Sequence, residues 1–246
     1  MSKVVFDIET AGDFESLDKE SQEYLLKYAE DEDEAEEMRK KVNLWPFTSQ
    51  IVALALLNPD TEKGKVYFQA PYSSHGDYTG QASPLSGGSA ALSAAPDKEM
   101  APFSEDGVDF KVCSEKEILQ NFWQDIKNYH QFITFNGRGF DCPYLMLRSA
   151  VLEVRPTKNL MPPRFSADFH IDLLDQLTFY SAFRKFTLDF YCRGFGIKSP
   201  KADGMAGDKV VQYFKDGKFL EIARYCMADT KATAELYKRW TEYIEM

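Results

Sequence analysis

The sequence has few residues of the kinds that bind zinc or form disulfides. Its 246 residues include four cysteines and three histidines, and no two cysteines form a CxxC pair. Isolated cysteines exclude a disulfide framework and a structural zinc site, and they fit a reducing compartment. The cysteines are Cys113, Cys142, Cys192 and Cys226, and the histidines are His75, His130 and His170.

The sequence also lacks a long apolar run, and we expect no secretory leader. No apolar run approaches the length of a membrane-spanning helix. A buried-strand pattern begins at Val4, which leaves no room for the basic and apolar regions of a signal peptide. We therefore expect a cytoplasmic protein with no membrane partner. The length suits a single α/β domain over residues 1–246.

Positive charge is scarce, because 29 Lys and Arg against 39 Asp and Glu give a formal net charge of −10. Residues 1–60 have fifteen acids and six Lys or Arg, whereas residues 138–201 have ten Lys or Arg and six acids. Long-range attraction of phosphate is excluded, while the second region is compatible with a local basic surface. Solvation of loops and helix faces explains its Lys and Arg equally well.

Hydrophobic periodicity predicts strands that alternate with helices. The first strand covers Val4 to Thr10, and strands at Gln50–Leu57 and Lys65–Gln69 are expected to form a hairpin. Between them, Phe14 to Val42 has the spacing of one helix, which defines an acidic helical insertion at about 14–43. Residues 71–107 are rich in Gly, Ser, Ala and Pro, which favours a flexible surface loop, as a plain insertion rather than a lid.

The α/β pattern resumes at Ser114, where a Ser-x-x-Glu capping box begins a helix that continues to His130. Further elements are expected as a strand at Phe132–Asn136, a helix through Leu152, a strand or strand-to-helix junction at Phe169–Leu173 and a helix from Leu220 to Trp240.

Two carboxylates stand close together on the first strand. Asp7 and Glu9 are two residues apart, so their side chains point to the same face. Two acids on an apolar strand repel each other and resist burial unless a positive charge holds them. The pair therefore indicates a divalent cation site whose other ligands lie elsewhere in the chain.

Two later segments contain further candidates. Asn136-Gly-Arg-Gly-Phe140-Asp141 follows a strand, and Asp141 begins a helix, where an acid is most often an N-cap. Tyr225 and Asp229 lie on one face of the late helix, at a spacing that is common by chance.

Taken together, Asp7-x-Glu9, Asn136-x-x-x-Phe140-Asp141 and Tyr225-x-x-x-Asp229 resemble the three motifs of the DEDDy exonucleases. The segment Ile133–Asp141 is similar to the second motif of stand-alone 3′–5′ exonucleases related to the proofreading domain of family-B DNA polymerases. The resemblance extends from Val4 to about Tyr237, apart from the Ser/Ala/Gly-rich segment.

The resemblance implies an α/β, ribonuclease H-like fold, with a five-stranded mixed sheet flanked by helices. It implies that Asp7, Glu9, Asp141 and Asp229 bind two divalent cations, Mg²⁺ or Mn²⁺, and that Tyr225 positions the attacking water. Hard cations prefer oxygen ligands, which agrees with a set of carboxylates without His or Cys.

Several further residues are weaker candidates. Asp172 ends a strand and is either a helix N-cap or a neighbour of the metals. Phe140 is expected to pack beneath the site. The residues considered for substrate binding are Asn136, Arg138, Phe140, Lys198 and Lys201.

The expected substrate is the 3′ end of single-stranded DNA, with release of nucleoside 5′-monophosphates. RNA or short oligonucleotides are alternatives, and so is a non-catalytic binding module, which four converging carboxylates disfavour. No polymerase-like segment is seen, so we expect no proofreading in cis. DNA repair, primer trimming and action beside a separate polymerase are all compatible with the sequence.

Overall fold

A seven-stranded mixed sheet lies at the centre of the structure, a computed structural model that describes residues 1–70, 101–200 and 207–245. The strand order is β4-β5-β3-β2-β1-β6-β7. Strands β6 and β7 run parallel to β1, whereas β2 runs antiparallel to it. The strands are β1 (Lys3–Gly12), β2 (Ser49–Leu57), β3 (Gly64–Phe68), β4 (Phe103–Glu105), β5 (Val108–Val112), β6 (Gln131–Thr134) and β7 (His170–Asp172).

The mixed α/β sheet confirms the predicted fold class, but the predicted number of strands was wrong. Strand β5 pairs parallel to β3, and β4 pairs antiparallel to β5 at the edge of the sheet. These two strands extend the expected five to seven. The prediction of a flexible loop over residues 71–107 was therefore wrong for Phe103–Glu105, and residues 71–100 lie outside the described part of the chain.

Eight helices flank the sheet in the described part of the chain. They are α1 (Lys19–Leu26), α2 (Glu32–Lys41), α3 (Glu115–Ile126), α4 (Asp141–Val151), α5 (Leu173–Leu177), α6 (Leu188–Gly194), α7 (Val210–Lys215) and α8 (Phe219–Tyr243). None of these helices is long and apolar enough to cross a membrane. The capping box predicted at Ser114 and Glu117 is confirmed at the start of α3.

The single helix predicted over Phe14 to Val42 is instead two α-helices with short 3-10 turns at either end. Asp18 caps α1 by accepting a hydrogen bond from the backbone N–H of Ser21, and Asp31 caps α2 by accepting one from Glu34. An aspartate that bonds to the backbone in this way fixes a helix start. The acidic run thus interrupts the helix that its periodicity predicts.

Successive residues of β1 pack into two different cores. Val4, Phe6 and Ile8 belong to a core formed with α3 and α4, whereas Val5 belongs to a core formed with α8. This alternation follows from the two-residue period of a strand. Asp7 and Glu9 therefore lie on the face of the sheet that α8 covers.

A buried ion pair joins α3 and α4 to the start of β2. Arg148 donates from Nε and Nη2 to Glu115 at 2.6 and 2.7 Å, and the two side chains are 0% and 6% exposed. Glu115 also accepts from the backbone N–H of Ile51 at 2.8 Å, and Arg148 donates to the carbonyl oxygen of Pro46 at 3.0 Å. Every charged atom of the pair thus has a partner, which burial of an ion pair requires.

Candidate active site

Asp7 and Glu9 project from β1, an interior strand of the sheet, onto the face covered by α8. Asp7 stands opposite Ala55 of β2, and Glu9 stands opposite Ala53. Directly opposite residues share a face of the sheet, so the two small alanine side chains leave space beside the carboxylates. The register shifts between Glu9 and Thr10, and the pairing then continues to Gly12 and Ser49.

Helix α8 brings Tyr225 and Asp229 to the same place. One carboxylate oxygen each from Asp7, Glu9 and Asp229 lies within 4.8 Å of the other two. The two positions on α8 are one turn apart, so both side chains reach the same region. Tyr225 is hydrogen-bonded to Asp229. The structure thus brings together residues from opposite ends of the sequence.

Asp141 approaches this cluster from the other side of β1. It is the first residue of α4, and its Oδ1 accepts a hydrogen bond from the backbone N–H of Ile8 at 3.1 Å. Among the described residues, the group within 4.8 Å comprises Asp7, Glu9 and Asp229 but not Asp141. Asp141 is 3% exposed and lies close enough to raise the pKa of both Asp7 and Glu9.

Burial is the largest cause of raised carboxylate pKa values at the site. It raises the pKa of Asp7 well above its usual range, and the charges of Asp141, Glu9 and Asp229 raise it further. The pKa of Glu9 is raised in the same way, and that of Asp141 is raised to about 7. Like charges held together in a buried place favour protons or a cation. This oxygen-only donor set fits a hard divalent cation.

The turn before α4 has an unusual backbone that sets the position of Asp141. Asn136 has φ of 61°, and the backbone N–H groups of Gly139 and Phe140 both donate to its carbonyl oxygen. A Cβ on Gly137 would lie 2.3 Å from Oγ1 of Thr134, so the turn passes too close to β6 for a side chain at that position.

Asp172 holds this turn in place. Its carboxylate accepts hydrogen bonds from the backbone N–H groups of Asn136, Arg138 and Leu174 at 2.9, 2.8 and 3.0 Å. The bond to Leu174 confirms the predicted cap of α5. The other two bonds link β7 to the turn that carries Asp141. Asp172 therefore supports the site through the backbone.

The residues considered for substrate binding have different surroundings. The guanidinium of Arg138 donates to the carbonyl oxygens of Pro162 and Pro163 at 2.9 and 3.3 Å, and the Phe140 ring packs 5.6 Å from Tyr144. Lys198 is exposed, and Lys201 lies outside the described residues.

Cys226 is a neighbour of the site that the sequence reasoning missed. Its thiol donates to the backbone oxygen of Asp7 at 3.4 Å and lies 3.8 Å from Oδ2 of the same residue. Cys226 is three residues before Asp229, so it lies on the same face of α8. This spacing is the signal in the sequence that places Cys226 near Asp229. A lone cysteine among carboxylates matches no pattern for a hard metal, so the spacing alone does not draw attention to it.

The chain belongs to a family described as predicted 3′–5′ exonucleases related to the exonuclease domain of PolB. The family model matches residues 90–245. The matched residues include Asn136–Asp141 and Tyr225–Asp229, whereas Asp7 and Glu9 precede them. The family match therefore confirms the resemblance seen in the second and third motifs.

The relatives that the chain resembles are much longer than it is. A DNA polymerase of Desulfurococcus sp. (strain Tok) is 32% identical over 146 residues, which cover 52% of this chain and 18% of the polymerase. DNA polymerase 1 of Sulfolobus acidocaldarius is 28% identical over 128 residues, 44% of this chain and 15% of that protein. The chain thus spans less than a fifth of the length of these relatives.

A solved structure shows the same fold. The family B DNA polymerase of the hyperthermophilic archaeon Pyrobaculum calidifontis superposes with a TM-score of 0.56 at 17% identity. The match covers 98% of this chain and 24% of the polymerase chain. The likeness therefore extends to β1, which carries Asp7 and Glu9.

Proposed function

We propose that this protein is a two-metal-dependent 3′–5′ exonuclease that hydrolyses single-stranded DNA from its 3′ end and releases nucleoside 5′-monophosphates. The observation that carries the proposal is the convergence of Asp7, Glu9 and Asp229 within 4.8 Å, on a chain of the PolB-related exonuclease family. Phosphodiester hydrolysis needs a deprotonated water and stabilisation of the leaving 3′-oxygen, and a pair of divalent cations supplies both when bound.

The four carboxylates divide into two groups in this proposal. Asp7, Glu9 and Asp229 present oxygen atoms to one another across the space between β1 and α8, and they would hold the cations. Asp141 would complete the ligand set from α4, where its bond to the N–H of Ile8 already fixes one oxygen. The carboxylates must lose their protons to bind metal.

Tyr225 is suited to orient a water molecule without carrying charge. Burial and the neighbouring carboxylates, Asp229 first among them, raise the pKa of its hydroxyl far above its usual range. The hydroxyl therefore keeps its proton at every working pH and can donate or accept a hydrogen bond. It would hold the water that attacks phosphorus.

A non-catalytic binding module does not explain these features. Carboxylates that converge on a phosphate-binding surface repel the ligand unless a cation neutralises them. A protein that only binds DNA therefore gains nothing from burying Glu9 and Asp141 beside Asp7.

The proposal is tested by digestion of matched 5′-labelled single-stranded DNA and RNA with Mg²⁺, Mn²⁺ or EDTA, resolved on a denaturing gel. We expect a ladder that shortens one nucleotide at a time from the 3′ end, is abolished by EDTA and is faster on DNA. Faster cleavage of RNA would move the proposal to an RNA exonuclease. If neither DNA nor RNA is cleaved in Mg²⁺ or in Mn²⁺, the proposal is overturned.

Substitution of Tyr225 by Phe should slow hydrolysis about 10- to 100-fold without abolishing it, because the cations still activate the water. The expected loss is in kcat, since the hydroxyl acts on the water and not on the bound strand. Steady-state kinetics on a 20-mer would measure it. An unchanged kcat would remove the tyrosine from the mechanism.

Substitution of Asp172 by Ala should lower kcat about tenfold, because three backbone N–H groups lose their acceptor and the turn that carries Asp141 is released. Asp172→Asn keeps one side-chain oxygen, so its kcat should lie between that of Asp172→Ala and that of the natural protein. The readout specific to positioning is a weaker Mn²⁺ affinity in calorimetry. If Asp172→Ala binds Mn²⁺ as the natural protein does, the turn is held by other contacts.

A further inference from the structure

A basic and aromatic surface lies on α6 and the segment before it. Its members are Arg184, Lys185, Phe186, Phe190 and Arg193, which we call the basic–aromatic surface. All except Phe186 are exposed, and Phe190 retains 50% of its exposure. None of these residues belongs to the three motifs.

Within this surface, the charged and aromatic groups are layered on one another. The rings of Phe186 and Phe190 stack with centroids 4.4 Å apart and planes 12° from parallel. The guanidinium of Arg184 lies 5.2 Å from the Phe186 centroid, and that of Arg193 lies 5.8 Å from the Phe190 centroid. A shallow, open depression of about 590 Å³ lies against Arg184, Lys185, Phe186, Thr187 and Phe190.

The charge of this surface is available to a ligand. Within the described part of the chain, neither Arg184 nor Lys185 forms an ion pair, whereas Arg193 pairs with Asp189 at 2.8 Å. Two unpaired cations side by side are notable in a chain of net charge −10. Aromatic rings beside Arg and Lys are the groups that bind single-stranded nucleic acid, because bases stack on the rings and phosphates meet the cations.

The backbone before the surface is fixed by two hydrogen bonds and has an unusual conformation. Phe179, Tyr180 and Ser181 have φ values of 48°, 57° and 75°, which non-glycine residues rarely adopt. The N–H of Tyr180 donates to the carbonyl oxygen of Asp175 at 2.7 Å, and the N–H of Phe183 donates to that of Thr178 at 2.9 Å. Such a backbone persists where surrounding contacts determine it.

The surface adjoins the carboxylate cluster. Helix α6 packs on α8, and the ring of Tyr191 lies 5.9 Å from that of Phe135, the residue before Asn136. Cys192, on the next position of α6, is near enough to Asp229 for that carboxylate to raise the pKa of its thiol, after burial as the main cause. The helix that carries Phe190 and Arg193 therefore also carries residues that neighbour the site.

We propose that the basic–aromatic surface binds the single-stranded segment on the 5′ side of the scissile nucleotide, with bases stacked beside Phe190 and phosphates at Arg184 and Lys185. This inference rests on the proposed function. The surface would be a second contact region of the enzyme, and it would direct the 3′ end of the DNA to the space between β1 and α8.

The test compares Arg184→Ala/Lys185→Ala with Lys127→Ala/Arg155→Ala, a control that removes the same charge from exposed positions that follow α3 and α4. Binding of 5′-fluorescein-labelled (dT)20 in Ca²⁺ is followed by anisotropy over a range of salt concentrations. We expect the surface variant to bind about tenfold more weakly, with a slope of log K against log salt shallower by about 1.4. The control should keep the natural affinity and slope.

A second pair of variants tests the stacking. Phe190→Ala should weaken (dT)20 binding about tenfold while keeping the salt slope, because stacking involves no counterion release. Tyr24→Ala, at a side chain that is 71% exposed on α1, is the matched control and should bind as the natural protein does.

Hydrolysis separates this inference from the proposed function. The ratio of kcat/KM for a 20-mer to that for a dinucleotide, which has only one nucleoside on the 5′ side of the scissile bond, should fall about tenfold in Arg184→Ala/Lys185→Ala. Partial unfolding would lower both values and keep their ratio. If the natural protein hydrolyses DNA but this variant keeps both the ratio and the affinity, the surface assignment is overturned alone. If (dT)20 binding depends on the surface but no metal supports hydrolysis, the surface stands and the nuclease proposal falls.

Discussion

Replacing Asp7 by Asn is expected to abolish hydrolysis while leaving the fold intact. Asp7 lies at the centre of the carboxylate cluster, with Glu9 and Asp229 within 4.8 Å and Asp141 nearby. Removing one ligand of a bound cation should cost about 4 kcal/mol or more of transition-state stabilisation, roughly a thousandfold in rate. Single-turnover digestion of labelled DNA measures this loss.

The same substitution should raise the melting temperature of the metal-free protein. Asp7, Glu9 and Asp141 have raised pKa values in the folded state, so their contribution to stability is present below the pKa values of the unfolded chain and is lost as the pH rises through the folded values, which is about 7 for Asp141. Asn at position 7 removes one of the repelling charges. We expect a higher melting temperature at pH 8, by about 2–4 °C for each kcal/mol gained in the free energy of unfolding. The melting temperature should also depend less on pH.

Asp60→Asn, at an exposed turn, is the matched control and should change neither activity nor the pH profile. Added Mn²⁺ should stabilise the natural protein far more than Asp7→Asn, since binding to the folded state alone shifts the unfolding equilibrium. Retained activity in Asp7→Asn would refute the metal assignment. A clear fall in its metal-free melting temperature would refute a strained cluster.

Replacing Arg148 by Met is expected to be the most destabilising of these changes. The substitution leaves the carboxylate of Glu115 buried without its bidentate partner, a loss of about 3–5 kcal/mol. Urea denaturation of the metal-free protein should show this loss as a lower midpoint. The exposed pair of Lys65 and Asp125 gives the control, because Lys65→Met should cost less than about 1 kcal/mol.

A double-mutant cycle would show whether the cost comes from the unpaired charge. Glu115→Leu in the Arg148→Met background removes the orphaned carboxylate, so it should recover part of the lost stability. Recovery will be incomplete, because the N–H of Ile51 and the carbonyl oxygen of Pro46 lose their partners. Strictly additive costs for the two substitutions would mean that the pair contributes only through packing.

The strands that carry the site could be predicted from sequence, whereas the far edge of the sheet could not. In β1, apolar residues surround the two acids, and the nine-residue strand β2 is apolar from Ile51 to Leu57. In contrast, β4 has three residues, two of them exposed. The alternation of Val108, Phe110 and Val112 in β5 was a real signal, but the segment before it has the composition of a loop.

The sequence predicts which residues form the candidate site, but it does not predict the contacts that hold them in place. The spacing of Asp7 with Glu9, and of Tyr225 with Asp229, gives a shared face because strand and helix periods are fixed. No periodicity encodes the left-handed backbone of Asn136 or the bonds from Asp172 to its turn. The bond between Asp172 and the N–H of Asn136 joins residues 36 positions apart, so only the folded chain reveals it.

The acids of β1 and those of α8 lie far apart in the sequence, which has a consequence for synthesis. Strand β1 is synthesised before its parallel partner β6, which follows more than a hundred residues later, and before α8, which follows later still. Contacts of such long sequence separation form slowly. The nascent chain therefore exposes an apolar strand bearing two acids until Phe219–Tyr243 has emerged. The carboxylate cluster can therefore assemble only after α8 has been synthesised.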